Sequence, residues 1–377
     1  MKINLLLIIF LALLFILLIT LCRGKNLYEN FDDNTTKPTN YVVPTVKRPF
    51  VNLYDNMGNK LNVIMVSKPF SGDAQYNECL EYKKNNIILG ITSYLEFPDL
   101  VSNPYEDFVE NYKKYKYKEL AEGWIHGFRK PENIFPKNIP LLFASESDWT
   151  DCNVCKPDPS IKKEYDFIYI CLKVNESKKE CTDWATYNKN WDLAQKCLDI
   201  FCNKYKLKGL LIGRKDCELP NGCNDLMETT NMLQYEELKK SYNKCKFIFL
   251  PNEKDASPRV LTEALATNIP VLLNKNILGG WKYVNSETGE FFNNETDVSS
   301  SLEVLLKKIE NNKYNPREYF IKNHSVINAG RVLKKWLYEN FRDRLNIDEK
   351  NVDYISPEFS KKDFQPCYQV GYDDSKD

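Results

Sequence analysis

Residues 246–292 read KFIFLPNEKDASPRVLTEALATNIPVLLNKNILGGWKYVNSETGEFF. The apolar run that ends at Leu250 lacks polar alternation, as expected of a strand buried on both faces of a parallel sheet. A polar loop, PNEKDA, follows it. Ser257 is a favourable helix cap and Pro258 suits the first helical position, so a helix is expected over 258–267. A second apolar strand is expected at 269–273, and Gly279-Gly280 then turns the chain. Strand, helix and strand in this order form a βαβ unit, which implies a parallel α/β sheet.

The same alternation extends in both directions. Strands are expected at 61–67, 87–91, 140–144, 166–172 and 209–213, beside those at 246–250 and 269–273. Helices are expected at 104–119, 190–205, 234–244, 298–311 and 327–344, the last packing back across the first lobe. The stretch 150–164 breaks the alternation with two prolines and mixed charge. The chain therefore divides into an N-terminal Rossmann-like lobe at 47–158 and a C-terminal Rossmann-like lobe at 159–345. Ligands of open α/β sheets bind in the cleft at the carboxyl ends of the strands. Residues 346–377 are expected to form a polar tail.

Ahead of the lobes, residues 3–22 carry no charge and match the roughly 30 Å hydrocarbon core of a bilayer as a helix. They predict a transmembrane signal-anchor over 1–22, a polar stalk over 23–46, and a single-pass, endomembrane location. The flanking Lys2, Arg23 and Lys25 leave the orientation open. Nine of the twelve cysteines fall between Cys152 and Cys245. They suit either disulfides or small buried thiols, and N-x-S/T sequons begin at Asn34, Asn175, Asn294 and Asn323. With only His126 and His324 as histidines, the Cys152-x-x-Cys155 pair lacks partners for zinc, and no metal site is predicted. The chain has 52 basic and 52 acidic residues, a balance that argues against nucleic acid as a partner.

The chemistry concentrates at the helix expected to open at Ser257 and Pro258. The amino end of a helix offers free N–H groups and a positive dipole end, a suitable seat for a diphosphate. Arg259 adds a planar fork for phosphate oxygens. Glu263 lies one turn further on the same face, at a depth suited to ribose hydroxyls, and Asp255 precedes the helix where a transferred sugar would rest. Gly279 and Gly280 permit close backbone approach to a ligand. An Arg259–Glu263 salt bridge on a solvated face, and an ordinary glycine turn, account for the same residues without a ligand.

This stretch resembles the nucleotide-sugar-binding half of group 1 (family 4-like) glycosyltransferases, which have the two-lobed GT-B fold. Asp255 and Glu263 are separated by seven residues, Glu263-Ala264-Leu265-Ala266 leads to Pro270-Val271, and Gly279-Gly280 and Thr288-Gly289 follow. The resemblance is strongest over 245–295. It implies that Glu263 binds the donor ribose, that Asp255 binds the donor sugar, and that Ser257, Pro258, Arg259 and Val260 meet the diphosphate through their backbone. It also implies basic residues on the diphosphate, for which Lys173 and Lys189 are candidates, with Arg214 at the cleft edge. His126 is the candidate for the family's N-lobe histidine, and Ser145–Asp148 are candidates to line the cleft. The first acid is Asp rather than Glu, and the helix opens Ser-Pro rather than Phe-Gly.

The implied activity is transfer of a hexose from a nucleotide-diphosphate sugar, a co-substrate rather than a cofactor, to a glycan, lipid or protein. The implied reaction is retaining and metal-independent. Two alternatives stay open: a fucosyltransferase-like GT-B enzyme, which Thr262-Glu263 matches in part, and a non-catalytic membrane-anchored glycan- or nucleotide-binding protein.

Overall fold

The computed structural model of the protein describes residues 41–99, 113–172, 181 and 184–357. The expected signal-anchor, Lys173 and most of the expected 104–119 helix lie outside these residues. All seven apolar runs form strands. Those of the C-terminal lobe are β6 (Tyr165–Ile170), β7 (Gly209–Ile212), β9 (Cys245–Leu250) and β10 (Val271–Asn274), joined by β8 (Met227–Thr230) and β11 (Gly289–Phe292). They make one parallel sheet in the order β11-β10-β9-β6-β7-β8. Side chains alternate between its two faces. Ile168, Ile170, Ile248 and Leu250 pack against helices Tyr235–Asn243 and Arg259–Ala266. Phe167, Tyr169, Phe247 and Phe249 pack against helices Trp191–Asn203 and Val298–Glu310. Burial on both faces explains the unbroken apolar runs.

The N-terminal sheet differs. Its strands β1 (Phe50–Asp55), β2 (Lys60–Val66), β3 (Ile87–Ile91), β4 (Gly123–His126) and β5 (Leu141–Phe143) lie side by side in chain order. β1 and β2 are antiparallel, and β2 to β5 are parallel. This order departs from the expected Rossmann-like winding. Right-handed crossovers that always step the same way leave their helices on one face. The helix Asp73–Lys83 contributes Cys79 to that face, beside Ile64, Ile88 and Trp124. The opposite face, with Leu61, Val63, Leu89 and Ile125, is covered from the far end of the chain by Leu333, Trp336 and Leu337 of helix Ser325–Phe341. This is the expected packing of the last helix across the first lobe.

The reading of 346–377 as a polar tail needs correction. Residues Ile355–Pro357 form β12, antiparallel to β1 at the sheet edge, and Ile355 is fully buried. Three residues flanked by polar ones carry little strand signal; the open β1 edge supplies the hydrogen-bond partners. A single-pass endomembrane location is also corrected. Among the described residues no helix is long and apolar enough to cross a membrane.

Candidate active site

The C-terminal sheet reverses its winding between β6 and β9. The chain leaves β6 for β7 and β8 on one side, then returns to place β9 on the other. At such a switch point the loops after the two strands diverge and open a crevice at their carboxyl ends. Asp255 lies in the loop after β9. Lys189 ends the helix Trp184–Lys189, which follows β6. Their side chains meet at this point, with Lys189 Nζ 2.7 Å from Asp255 Oδ2. The same oxygen accepts from Asn252 Nδ2 at 2.8 Å, and Ser257 N–H approaches Oδ1 at 3.3 Å. The Asp255 side chain is 8 % exposed and Lys189 22 %. The Oδ1 atom of Asn252 is buried with no hydrogen-bond partner among the described residues. Asn252 was missed in the sequence; its position directly after the strand and Pro251 was the available signal.

Helix Arg259–Ala266 begins one residue later than expected. Pro258 occupies the cap position, with no side-chain cap bond. Ser257 turns instead toward the N-terminal lobe. Its hydroxyl accepts from Ser147 N–H at 3.0 Å and lies 2.8 Å from the Ser147 hydroxyl. A second rung joins Thr150 Oγ1 to Thr262 Oγ1 at 2.7 Å. The start of the helix thus meets the turn after β5. Val260 is buried in the C-terminal core, and Arg259 lies half-buried near Glu263.

Glu263 is 2 % exposed. Its carboxylate accepts from the Tyr242 hydroxyl at 2.8 Å. Burial pushes its pKa above the ordinary carboxylate value, while the positive Arg259 and the tyrosine hydroxyls oppose the rise. Gly279 makes its close approach to protein backbone and Gly280 to a proline ring, rather than to open space. A Cβ at Gly279 would lie 1.8 Å from the Ala256 carbonyl oxygen, and Gly280, with φ +82°, lies against Pro258. Gly279 N–H donates to the Asp255 carbonyl at 2.9 Å, so the glycine turn braces the Asp255 loop.

One further expected residue, Arg214, is placed elsewhere, and another, His126, is buried where the lobes meet, next to Gly127, which faces the Ala256 carbonyl. Arg214 is not at a cleft edge: it is fully buried, and its guanidinium bonds to protein atoms, including the carbonyl oxygens of Leu172 and Cys181. The βαβ pattern located the end of β7 but not the direction of the side chain leaving it. His126 ends β4 and is 4 % exposed among Phe128, Phe135 and Phe143. Burial, aided by the positive Lys282, lowers its pKa to about 4.

The two sheets meet along their carboxyl-terminal edges. Lys254 pairs with Glu96 at 2.8 Å, and Arg129 donates to the Lys275 carbonyl at 2.6 Å. The buried Asp148 carboxylate bonds to Lys282 Nζ at 2.5 Å and His324 Nδ1 at 2.9 Å. Burial disfavours its charge, yet Lys282 and His324 hold its pKa below the usual carboxylate value. Ser145–Asp148 therefore joins the lobes where it was expected to line a cleft. Among the described residues no group of three or more His, Cys, Asp and Glu side chains is placed to hold a metal ion.

No protein-family model matches the chain, and no curated protein sequence matches it. Solved structures do resemble it. A sucrose-phosphate synthase from Thermosynechococcus elongatus superposes with a TM-score of 0.51 at 13 % identity, over 70 % of each chain. TarM superposes with a TM-score of 0.52 at 13 % identity, over 73 % of this chain and 54 % of its own. A variant of S. aureus TarM solved with fondaparinux, α-GlcNAc-glycerol and UDP gives 0.51 at 13 % identity, over 71 % and 53 %. This chain thus spans about half the length of TarM. The two-lobed architecture of this protein is the GT-B fold of solved glycosyltransferases, as the 246–292 stretch implied.

Proposed function

We propose that this chain is a glycosyltransferase that takes a hexose from a nucleoside diphosphate sugar. The observation that carries the reading is the Lys189–Asp255 pair at the β6/β9 switch point of a GT-B fold. In this reading Asp255 accepts hydrogen bonds from the sugar hydroxyls, and the unpartnered Asn252 Oδ1 adds a second acceptor. Lys189 faces the diphosphate beside the amino end of helix Arg259–Ala266. Breaking the glycosidic bond leaves negative charge on that diphosphate, and preorganised positive groups lower the energy of that state. Glu263 reaches the ribose by exchanging the Tyr242 hydroxyl for a ribose hydroxyl, one neutral donor for another. In this reading His126, a ring that burial keeps neutral at pH 7, takes the place of the N-lobe histidine that the resemblance implies. Retention of configuration and independence from metal ions belong to the proposal through the family resemblance.

Donor entry requires the lobes to part at Ser147–Ser257 and Lys254–Glu96, where they touch. The neighbours solved with UDP and sugars make a nucleotide-sugar donor and a glycan acceptor the first to test. A ligand that binds only the folded state raises the melting temperature by mass action. The experiment is a thermal-shift panel of UDP-hexoses and GDP-fucose, with and without EDTA, followed by assay of free sugar release. A shift by one donor together with slow release in EDTA supports the reading. A second reading, a non-catalytic binding protein, is favoured by the engaged Ser257 and Glu263. Binding of a donor without any release or transfer would favour it, and no shift by any donor would remove the first.

A further inference from the structure

Lys189 sits on a short segment that a set of buried contacts holds in place. β7 is followed by Gly213, whose φ of +97° turns the chain; a Cβ there would lie 2.6 Å from the Cys171 carbonyl oxygen. This turn drives Arg214 inward, where it is fully buried. Its Nε lies 2.9 Å from Cys171 Sγ, at the end of β6. One terminal nitrogen donates to the Cys181 carbonyl at 2.7 Å, and the other to the Leu172 carbonyl at 3.0 Å and Thr186 Oγ1 at 3.3 Å. The guanidinium lies over the Trp191 ring, 5.1 Å from its centroid. Three residues further on, Cys217 forms a disulfide with Cys181, and Cys217 N–H donates to the Arg214 carbonyl. Arg214 and the disulfide therefore grip the same residue, one through its carbonyl and the other through its sulfur.

The grip passes directly to Lys189. Thr186, one of the Arg214 partners, also donates to the Cys181 carbonyl at 2.9 Å. The Tyr169 hydroxyl donates to the Lys189 carbonyl at 3.0 Å, and Tyr169 stacks on Trp191. Asn190, with φ +52°, then turns the chain into helix Trp191–Asn203. The segment is thus held at both ends, with the Lys189 ammonium 2.7 Å from Asp255.

We infer that Arg214 and the Cys181–Cys217 disulfide are positioning elements that form one bracket around the segment presenting Lys189 to Asp255, and that thiol reduction loosens the donor site through this bracket. The link to donor binding rests on the function proposed above; the link to segment order does not. A lysine at 214 is not equivalent, because one ammonium cannot serve Cys171, Leu172, Cys181 and Thr186 at once. Reduction consumes two electrons and two protons from an added dithiol and yields Cys181 and Cys217 thiols and the oxidised reagent.

The test is amide hydrogen exchange across the full chain for the unaltered protein, Arg214→Lys and the double variant Cys181→Ala/Cys217→Ala, with circular dichroism confirming the fold. Exchange over 184–190 about tenfold faster in the variants, with the strands β6 and β9 unchanged, supports the bracket. Unchanged exchange in the folded double variant overturns it, whether or not Arg214→Lys folds. The Cys202→Ala/Cys223→Ala variant, which lacks the other disulfide of this lobe, is expected to leave 184–190 protected. In parallel, a donor that shifts the unaltered protein is expected to bind the double variant about tenfold more weakly, with the same loss on adding dithiothreitol to the unaltered protein. If no donor shifts the unaltered protein, the proposed function fails while the exchange data still decide the bracket.

Discussion

Lys189 and Asp255 stand 66 residues apart in the chain and 2.7 Å apart in space. The pair exists because β9 is laid down beside β6 after the chain has travelled to β8 and back. Each residue lies in the connection that leaves the carboxyl end of its strand, and the reversal brings the two connections together.

Removing one partner leaves a mostly buried charge. In Lys189→Met the Asp255 carboxylate keeps only the neutral Asn252 amide and the Ser257 N–H. Stability is expected to fall by about 1–3 kcal/mol in urea unfolding, a discounted value for a partly solvated pair. Turnover is expected to fall about 100-fold or more. The double variant Lys189→Met/Asp255→Asn should recover much of the stability and none of the turnover. Additive stability losses would show that the two residues do not interact.

Glu263 separates charge from hydrogen bonding. The 246–292 stretch alone suggests that Glu263→Ala spares folding. The Tyr242 contact changes that expectation: the alanine variant removes a buried hydrogen bond and leaves a cavity, at a cost of about 1–3 kcal/mol. Glu263→Gln keeps an acceptor and removes the charge. Because the folded-state pKa is raised, burying this carboxylate opposes folding increasingly as pH rises above the unfolded value of 4.5. Glu263→Gln is therefore expected to melt no lower than the unaltered protein at pH 7, yet to lose turnover. A large drop in melting temperature for Glu263→Gln would contradict this account.

His126 predicts a dependence on acid. Its folded-state pKa of about 4 lies below the ordinary 6.5. The unfolded chain therefore takes up its proton first as pH falls. The His126 contribution is intact above pH 6.5, declines as pH drops toward 4, and is then lost, by on the order of 1–2 kcal/mol. His126→Phe, in a pocket already lined by three phenylalanines, should flatten the stability curve between pH 6.5 and 4. Equal slopes for the two proteins would rule out this origin.

Ile355 tests the correction at the chain end. It is fully buried with Leu333 and Leu337 against the N-terminal sheet. Ile355→Ala is expected to cost about 2–4 kcal/mol in chemical unfolding. A cost near zero would return this segment to the status of a tail.

Much of the fold was legible in the chain. Seven apolar runs of the right length named seven strands, because all but the edge strand β5 are buried on both faces and such a strand needs no partner to be recognised. Five strands were missed: β1, whose FVNLYD run is interrupted by Asn52, and the short β4, β8, β11 and β12. β4 is the four residues GWIH, interrupted by glycine at its start, and β12 is three residues whose place depends on an open edge. The acid-helix-acid spacing and the glycine pair also stood in the sequence, and they led to the GT-B fold.

What the sequence determined by itself was periodicity, cap chemistry and spacing along the chain, since these depend on neighbours within a few residues. Contacts between distant segments were decided only when the sheets assembled. Tertiary packing turned Arg214 into the core, set Tyr242 on Glu263, and aimed Ser257 at Ser147. Side-chain direction depends on what fills the space opposite, and no local pattern encodes that.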